Sequence, residues 1–573
     1  MQSDLSSLPK HWNFNEPDPA IVDQVAQALG IRRLLAQILV GRGFTDVAGI
    51  KHFLEPSLDD LHDPFLLPDI NPAVDAILKA HADKELVFVH GDYDADGVTS
   101  SAIFEKFLRS LGCNVTTHLP HRIREGYGIH PDTVRRAADE GAKLLLTCDC
   151  GISAHDPVAL ARELGMVVVV TDHHHVPDTL PDASAVINPH RPDSDYPFPE
   201  LSGAGVAFKV GAAVVSRLGK NVRKYYEHFI DLAAIGTIAD VMPLVGENRA
   251  IAALGIQRMN DQRIPGVEAI MRAGRLREPI SSYSIGFQIG PRINAAGRID
   301  DATLALSVLR SKTLEEAEPL AAKLEQLNSD RRSRQEDVVD EALQLIEEHN
   351  MADHRVIFLI GEGWHKGLVG IVAGRLVDRF RRPVFVGTVN PEKGVATGSA
   401  RTIPGFHLAN AINALNPLLR GGGHADAAGF EVEIGQIDEV RAQLLTYAES
   451  ILSTEDLVKP LQLDGIADPK MIDIDAVEEL EMLEPTGSSN PSPLLLVRHA
   501  RLVGREVFGQ EGTHVKATWE TPEGFLTTKA FGIADSFPDP SPAIPRNLVV
   551  RLGVNRWNGR KEVQWTYVTS EIE

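Results

Sequence analysis

The run Val89-His-Gly-Asp-Tyr-Asp-Ala-Asp-Gly97 places Asp92, Asp94 and Asp96 at every second position, with His90 two places ahead of the first. In an extended chain, side chains with period two share one side. Carboxylates so close together raise one another's pKa, and a divalent cation removes the conflict. Two later runs repeat the arrangement. The apolar segment Leu144–Thr147 leads to Asp149 and Gly151, and Met166–Thr171 leads to Asp172-His173-His174-His175. Oxygen and imidazole donors without a thiolate favour Mn2+ or Mg2+ over structural zinc. The donors suffice for two ions, which points to phosphoryl chemistry. A calcium EF-hand shares the opening pattern from Asp92 to Gly97. Its twelfth position needs a bidentate glutamate, however, and here holds Ile103.

These residues need elements that bring them together. Leu86–His90, Asn114–Leu119, Lys143–Thr147 and Met166–Thr171 read as short strands, with helices predicted over Gly97–Leu111, Pro131–Gly141 and Pro157–Gly165. That alternation predicts a parallel α/β sheet, whose chemistry lies past the carboxyl ends of its strands. If His90 to Asp96 stay extended, all four side chains project from one strand end. Residues 204–260 read as mostly helical. Thr313-Leu-Glu-Glu316 has the form of a capping box and opens a stretch with no Gly or Pro between Leu320 and Asn350. One long connecting helix, or two broken near Asn328-Ser329, fits equally. A second α/β unit follows and ends in Leu419-Arg-Gly-Gly-Gly-His-Ala-Asp-Ala-Ala-Gly429. The last part has β-branched runs punctuated by Gly, Pro and Asn, which predicts a small all-β barrel. The expected domains are 1–83, an irregular and partly helical lead-in; 84–312; a connecting helix over 313–350; 351–455; and 456–573.

The chain has 573 residues and a net charge of −22. Such a charge taken alone disfavours nucleic acid. Residues 491–573, however, carry ten Lys/Arg against nine Asp/Glu, so the tail is near neutral and can present a basic face. Arg505, Lys516, Arg551, Arg556 and Arg560, with Phe508, Trp519 and Trp557, are candidates for strand contact there, core packing being the alternative for the aromatics. No apolar run is long enough for a membrane span, and the N-terminus does not read as a secretory signal. Cys113, Cys148 and Cys150 form no disulfide or zinc pattern and suit a reduced, cytoplasmic protein. No phosphate-binding P-loop sequence is present.

Taken in order, His90-x-x-x-Asp94-x-Asp96, Asp149, Asp172-His173-His174 and Ala234-Ile-Gly-Thr-Ile-Ala-Asp240 resemble the motifs of the DHH phosphoesterase superfamily. The resemblance implies two Mn2+ or Mg2+ ions held by His90, Asp94, Asp96, Asp149, His173 and Asp240. It makes Asp149 the shared ligand and turns His174 toward the substrate as a catalytic residue. Asp92 falls between matched positions and is expected to stand behind the ligands. Further runs, Arg122–Gly128, Gly290–Arg298, Gly363–Gly367, Gly398–Arg401 and Gly421–His424, resemble the single-strand-specific 5′→3′ DNA exonucleases of that superfamily. From these follow phosphate contacts by Arg122, Arg292, Ser399 and Arg401. Backbone N–H groups at Gly422 and Gly423 could approach a phosphate, and His424 would contact the strand. The implied architecture is a DHH domain joined by the helix to a DHH-associated domain, with an OB-fold tail. The implied setting is a cytoplasmic monomer in DNA repair and recombination, acting on single-stranded DNA beside single-strand-binding protein and a helicase. Two other function classes compete: a phosphodiesterase for short RNA or dinucleotides, which needs no tail, and a non-catalytic scaffold, which needs no complete ligand set.

Overall fold

The structure is a computed structural model and describes residues 8–540, 544–557 and 559–572. The chain divides into two compact units. One comprises Leu61–Met242 with Ala250–Lys459; the other comprises residues up to Asp60, Pro243–Arg249 and Pro460 onward.

The first unit holds a five-stranded parallel sheet in the spatial order Asn114–His118, Leu86–His90, Ala142–Thr147, Val167–Thr171, Ala185–Ile187. The inner strands Leu86–His90, Ala142–Thr147 and Val167–Thr171 are largely buried, which is why they read as near-continuous apolar runs, whereas the edge strand Asn114–His118 is more polar and partly exposed. Phe88, Leu145, Val168 and Val170 pack with Val134, Ala137, Val158 and Ala161 of the helices Pro131–Asp139 and His155–Glu163. The helices Ala95–Leu111, Gly203–Arg217 and Val222–Ala239 pack against one another beside the sheet. The strand ends are stitched side by side. Cys148 N–H donates to His90 O at 2.9 Å, Asp149 N–H to Thr171 O at 3.0 Å, and Asp172 N–H to Ile187 O at 3.0 Å.

A single helix of 35 residues, Leu314–Glu348, follows, with Thr313 accepting from the N–H of Glu316 as its cap. At 1.5 Å per residue it spans about 50 Å, and it passes Asn328-Ser329 unbroken. It leads to a mixed five-stranded sheet ordered Leu419–Gly423, Ala427–Glu433, Val395–Arg401, Val384–Asn390, Ile357–Gly361, in which only the last pair is parallel. Phe358, Phe385 and Phe430 meet at its centre.

In the second unit, strands between Gly465 and Ile572 form a barrel that closes where Leu495–Phe508 pairs with Arg546–Trp557. Trp519 is fully buried there and donates Nε1–H to Thr528, so it is core rather than a strand contact. Arg505 and Arg556 are tied to Asp539 and to Glu478 and Glu481, Lys516 is exposed, and the side chain of Trp557 lies outside the described residues. The segment read as a lead-in belongs in part to this unit. Trp12–Phe14 pairs in parallel with Leu461–Leu463, and Val22, Leu35, Ile38 and Leu39 share a core with Leu495, Val497 and Leu548.

Arg249 fastens this unit from inside. Its guanidinium lies 3.8 Å from the Phe53 ring centroid and donates to the carbonyls of Phe53, Met482, Leu483, Glu484 and Pro485. Burial pushes its pKa down to about 10, still far above neutrality. Arg249→Met keeps the volume but removes every donor. The expected loss is about 3 kcal/mol for this unit, read as an earlier guanidinium unfolding transition of the barrel tryptophans; an unchanged midpoint would contradict it.

Candidate metal centre

The carboxyl edge of the parallel sheet gathers the charged residues, although not by strand alternation. The chain leaves the strand at His90 and turns within four residues into the helix Ala95–Leu111. Asp94 is the N-cap, its Oδ1 accepting from the N–H groups of Asp96 and Gly97 at 3.0 Å each. That competing hydrogen bonding ends the extended conformation. Asp92 and Asp94 therefore lie on a turn, and Asp96 lies in the first turn of the helix.

Asp96 is buried and accepts from Gly203 N–H at 2.6 Å and Ala204 N–H at 2.9 Å, at the start of the helix Gly203–Arg217. Asp149 has φ of 61°, a left-handed conformation that aspartate tolerates. Gly203 lies against it so closely that a Cβ there would stand 2.6 Å from the Asp149 Cβ. The Nε2 of His173 lies 3.1 Å from Asp149 Oδ1 and 3.7 Å from a carboxylate oxygen of both Asp96 and Asp240. Asp240 closes the helix Val222–Ala239 as its C-cap.

These atoms fall into three sets, each within 4.8 Å of one another: Asp149, His173 and His174; Asp96, His173 and Asp240; and Asp92, Asp94 and Asp149. Five of the six expected ligands are thus brought together, with Asp149 and His173 each in two sets. His90 is in none. Its Nε2 lies 3.2 Å from Gly128 O and its ring is 5.5 Å from that of His118. Asp92, which the family resemblance set behind the ligands, takes a place in the sets.

The electrostatics match a site made for cations. Burial, then Asp94, raises Asp96 to about 7, and burial, then Asp96 and Asp94, raises Asp240 to about 8. Burial and the neighbouring carboxylates push Asp92 and Asp149 well up as well. Burial, then His174, lowers His173 to about 3, so it is a neutral ring with a free lone pair. The buried Oδ1 atoms of Asp92 and Asp149 have no hydrogen-bond donor. A divalent cation supplies what these atoms lack, so the donors fit Mn2+ or Mg2+.

His174 behaves differently. Asp172 accepts its Nδ1–H at 2.7 Å while also accepting the backbone N–H groups of His173, His174 and Ile152. Burial opposes the charged ring, but the Asp172 bond and charge outweigh it, and the pKa rises to about 9. The hydroxyl of Tyr127 lies 3.2 Å from the same nitrogen. Burial also pushes the Cys148 thiol up to about 12, so it is inert at neutral pH.

The expected phosphate contacts divide. Arg122 lies 4.8 Å from the Tyr93 ring centroid. Ser399 and Arg401 share one side of the strand Val395–Arg401, each 3.5 Å from where a Cβ of Gly370 would stand. Burial, then Arg122, lowers the pKa of Arg401. Burial, Arg122, Arg331 and Arg401 bring Arg298 to about 10 against the pull of Asp94. Arg122, Arg298 and Arg401 therefore form a cationic group beside Asp94. Arg292 is not part of it; it is buried and paired with Glu325 on the long helix. Arg298 is legible in the sequence as the second arginine of the Gly290–Arg298 run. Gly422 and Gly423 lie on an edge strand, and His424 stacks on His175 at 6.4 Å.

Strand-end carboxylates and imidazoles on a parallel α/β domain, followed by a mixed-sheet domain, define a DHH-type phosphoesterase. The model of the DHH family, N-terminal domain, matches residues 86–237, and that of the DHHA1 domain matches 353–450. The RecJ OB domain matches 463–568. The chain is 36% identical over 556 residues to the single-stranded-DNA-specific exonuclease RecJ of Bacillus subtilis, covering 96% of this chain and 70% of that one. To RecJ of Dickeya dadantii it is 34% identical, covering 93% and 94%. The crystal structure of Thermus thermophilus RecJ in complex with Mn2+ superposes with a TM-score of 0.82 at 29% identity, over 97% of this chain and 78% of that one. The same protein with Mg2+ gives 0.77 at 28% identity, over 97% and 77%. The chain belongs to the RecJ family.

Among the described residues, no helix is long and apolar enough to cross a membrane.

Proposed function

We propose that this protein is a single-strand-specific 5′→3′ DNA exonuclease that uses two Mn2+ or Mg2+ ions. The observation that carries this is the convergence of the metal sets on Asp149 beside the cationic group of Arg122, Arg298 and Arg401. We assign the ligands as Asp92, Asp94, Asp96, Asp149, His173 and Asp240. His90 then acts through Gly128, holding the loop that carries Arg122 and Tyr127. Bound cations supply Lewis acidity and lower the pKa of water.

The remaining roles fall to the chain. The three arginines hold a terminal 5′-phosphate by charge-assisted hydrogen bonds, with Ser399, the N–H groups of Gly422 and Gly423, and His424 along the strand. Asp172 fixes the His174 ring, which carries a proton at neutral pH and can donate it to a phosphate or departing oxygen. The OB domain favours long single strands over dinucleotides as substrate. The setting that suits this activity is cytoplasmic DNA repair and recombination, as a monomer working with single-strand-binding protein and a helicase.

The test uses the full chain with Mn2+ and a strand labelled at its 3′ end. Progressive shortening of single strands from the 5′ end, with blunt duplex resistant, is the expected result. Equal degradation of duplex would overturn the strand preference. Arg401→Ala is expected to slow cleavage of 5′-phosphorylated strands about 10- to 100-fold, with little change for 5′-hydroxyl strands. Equal losses on both would remove the assigned role in holding the end.

A further inference from the structure

A groove of about 1170 Å³ lies in the same unit as the metal centre but is lined by different residues. Its walls are the loop and short helical turns at 274–288, the long helix Leu314–Glu348 and the helix Lys366–Phe380. Six arginines line it: Arg275, Arg277, Arg292, Arg331, Arg332 and Arg375. Among the described residues, Arg275, Arg277, Arg332 and Arg375 form no ion pair. Three acidic residues also line the groove, and one of them, Glu278, is already held by Arg263. Arg331 is held by the neutral side chains of Gln335 and Asn328. Gly274 lies flat against the guanidinium of Arg292, where a Cβ would come within 2.6 Å.

Two large aromatic side chains stand on the rim. Tyr283 is 62% exposed and Phe287 is 70% exposed. Their rings stack at 4.9 Å with 28° between planes. They flank the start of a π-helical turn, Ile285–Ile289, a geometry that recurs at functional sites. Arginines for a backbone and an open aromatic face for a base are the two components of a single-strand binding surface. The arginines also continue toward the metal centre: Arg292 of the groove and Arg298 lie on one helix, Gly290–Ile299, and Arg331 acts electrostatically on Arg298.

We propose that this groove is a track for single-stranded nucleic acid, with Tyr283 and Phe287 as its stacking platform and its arginines running on to the anion site at Arg298. The inference rests on the exonuclease reading and extends it, giving the enzyme a grip on nucleotides beyond the one being cleaved. An acidic peptide would also suit the charge, but the open ring face and the continuity with a phosphate site favour a strand.

The test is binding by the full chain in EDTA, using fluorescein-labelled (dT)20 and (dT)3. The double variant Tyr283→Ala/Phe287→Ala is expected to weaken (dT)20 binding about tenfold or more. Binding of (dT)3, which offers few bases to stack, is expected to fall far less. Arg332→Ala, on an exposed helix position, serves as an independently folding second variant. It is expected to reduce the salt dependence of (dT)20 binding by about one counterion. Wild-type affinity for (dT)20 in both variants overturns the track. A Glu/Phe-rich peptide that binds wild type, is lost in the double variant and fails to compete with (dT)20 assigns the groove to a peptide and also overturns it. The exonuclease reading is judged apart, by cleavage of the 3′-labelled strand by the wild type.

Discussion

Asp149→Ala is expected to cut hydrolysis of single-stranded DNA by at least about 10³-fold. Asp149 is shared by two of the three metal sets, and its Oδ1 has no hydrogen-bond donor of its own. Its left-handed backbone and the close packing of Gly203 fix where that oxygen points. Asp96 is not free to take its place, because it is already held by two backbone N–H groups. Asp149→Asn keeps the shape and removes the charge. It is expected to lose activity as fully, yet to raise the melting temperature of the metal-free protein at neutral pH, since the amide stays neutral among the carboxylates without having to take up a proton. Single-turnover cleavage and scanning fluorimetry in EDTA read the two effects. Activity within tenfold of wild type would sink the assignment of Asp149 as the shared ligand.

The second large effect is a pH dependence of metal-free stability. A carboxyl whose folded pKa is raised adds stability that is complete below its unfolded pKa and is lost as pH rises through the folded value. Asp96 near 7 and Asp240 near 8 therefore cost stability as pH rises from about 4, Asp96 until about 7 and Asp240 until about 8. His174, raised to about 9, acts in the same direction: its contribution is full below its unfolded value and lost through 9. His173 and His90, both lowered to about 3 chiefly by burial, act oppositely, but their contribution is complete above the unfolded value of 6.5. Between about pH 6.5 and 9 only the losses remain. The melting temperature in EDTA is expected to fall across that window, and Asp240→Asn should flatten the decline. Mn2+ needs the deprotonated carboxylates, so its stabilising effect should grow over the same range, with protons released on binding. A metal-free melting temperature that rises from pH 6.5 to 9 would contradict the charge balance of the site.

Much of this was readable because parallel sheets write themselves plainly. Three of the strand runs, Leu86–His90, Lys143–Thr147 and Met166–Thr171, were apolar, short and bounded, and metal residues followed each of them closely. What the sequence hid was local competition and distance. Alternating aspartates imply an extended chain, but Asp94 caps a helix, and the turn it makes admits Asp92 to the sets and leaves His90 against Gly128. Of two arginines in one short run, Arg298 acts electrostatically with Arg122 and Arg401 while Arg292 pairs with Glu325, a partner on the long helix that no spacing rule predicts. The first sixty residues read as irregular because the apolar faces of their helices are completed only by strands at the far end of the chain.

That last pairing has a consequence for synthesis. Every proposed metal ligand lies between Asp92 and Asp240, so the ligand set is complete when less than half of the chain has left the ribosome. Ser399 and Arg401 arrive much later. The helices of residues 19–54 wait longest, because their partners are among the last strands made. A nascent chain would thus hold the means to bind metal before it can grip a phosphate, and the earliest-made helices would keep their apolar faces uncovered until translation is nearly finished. These helices, rather than the catalytic domain, are where a trigger factor or other holding chaperone would be needed.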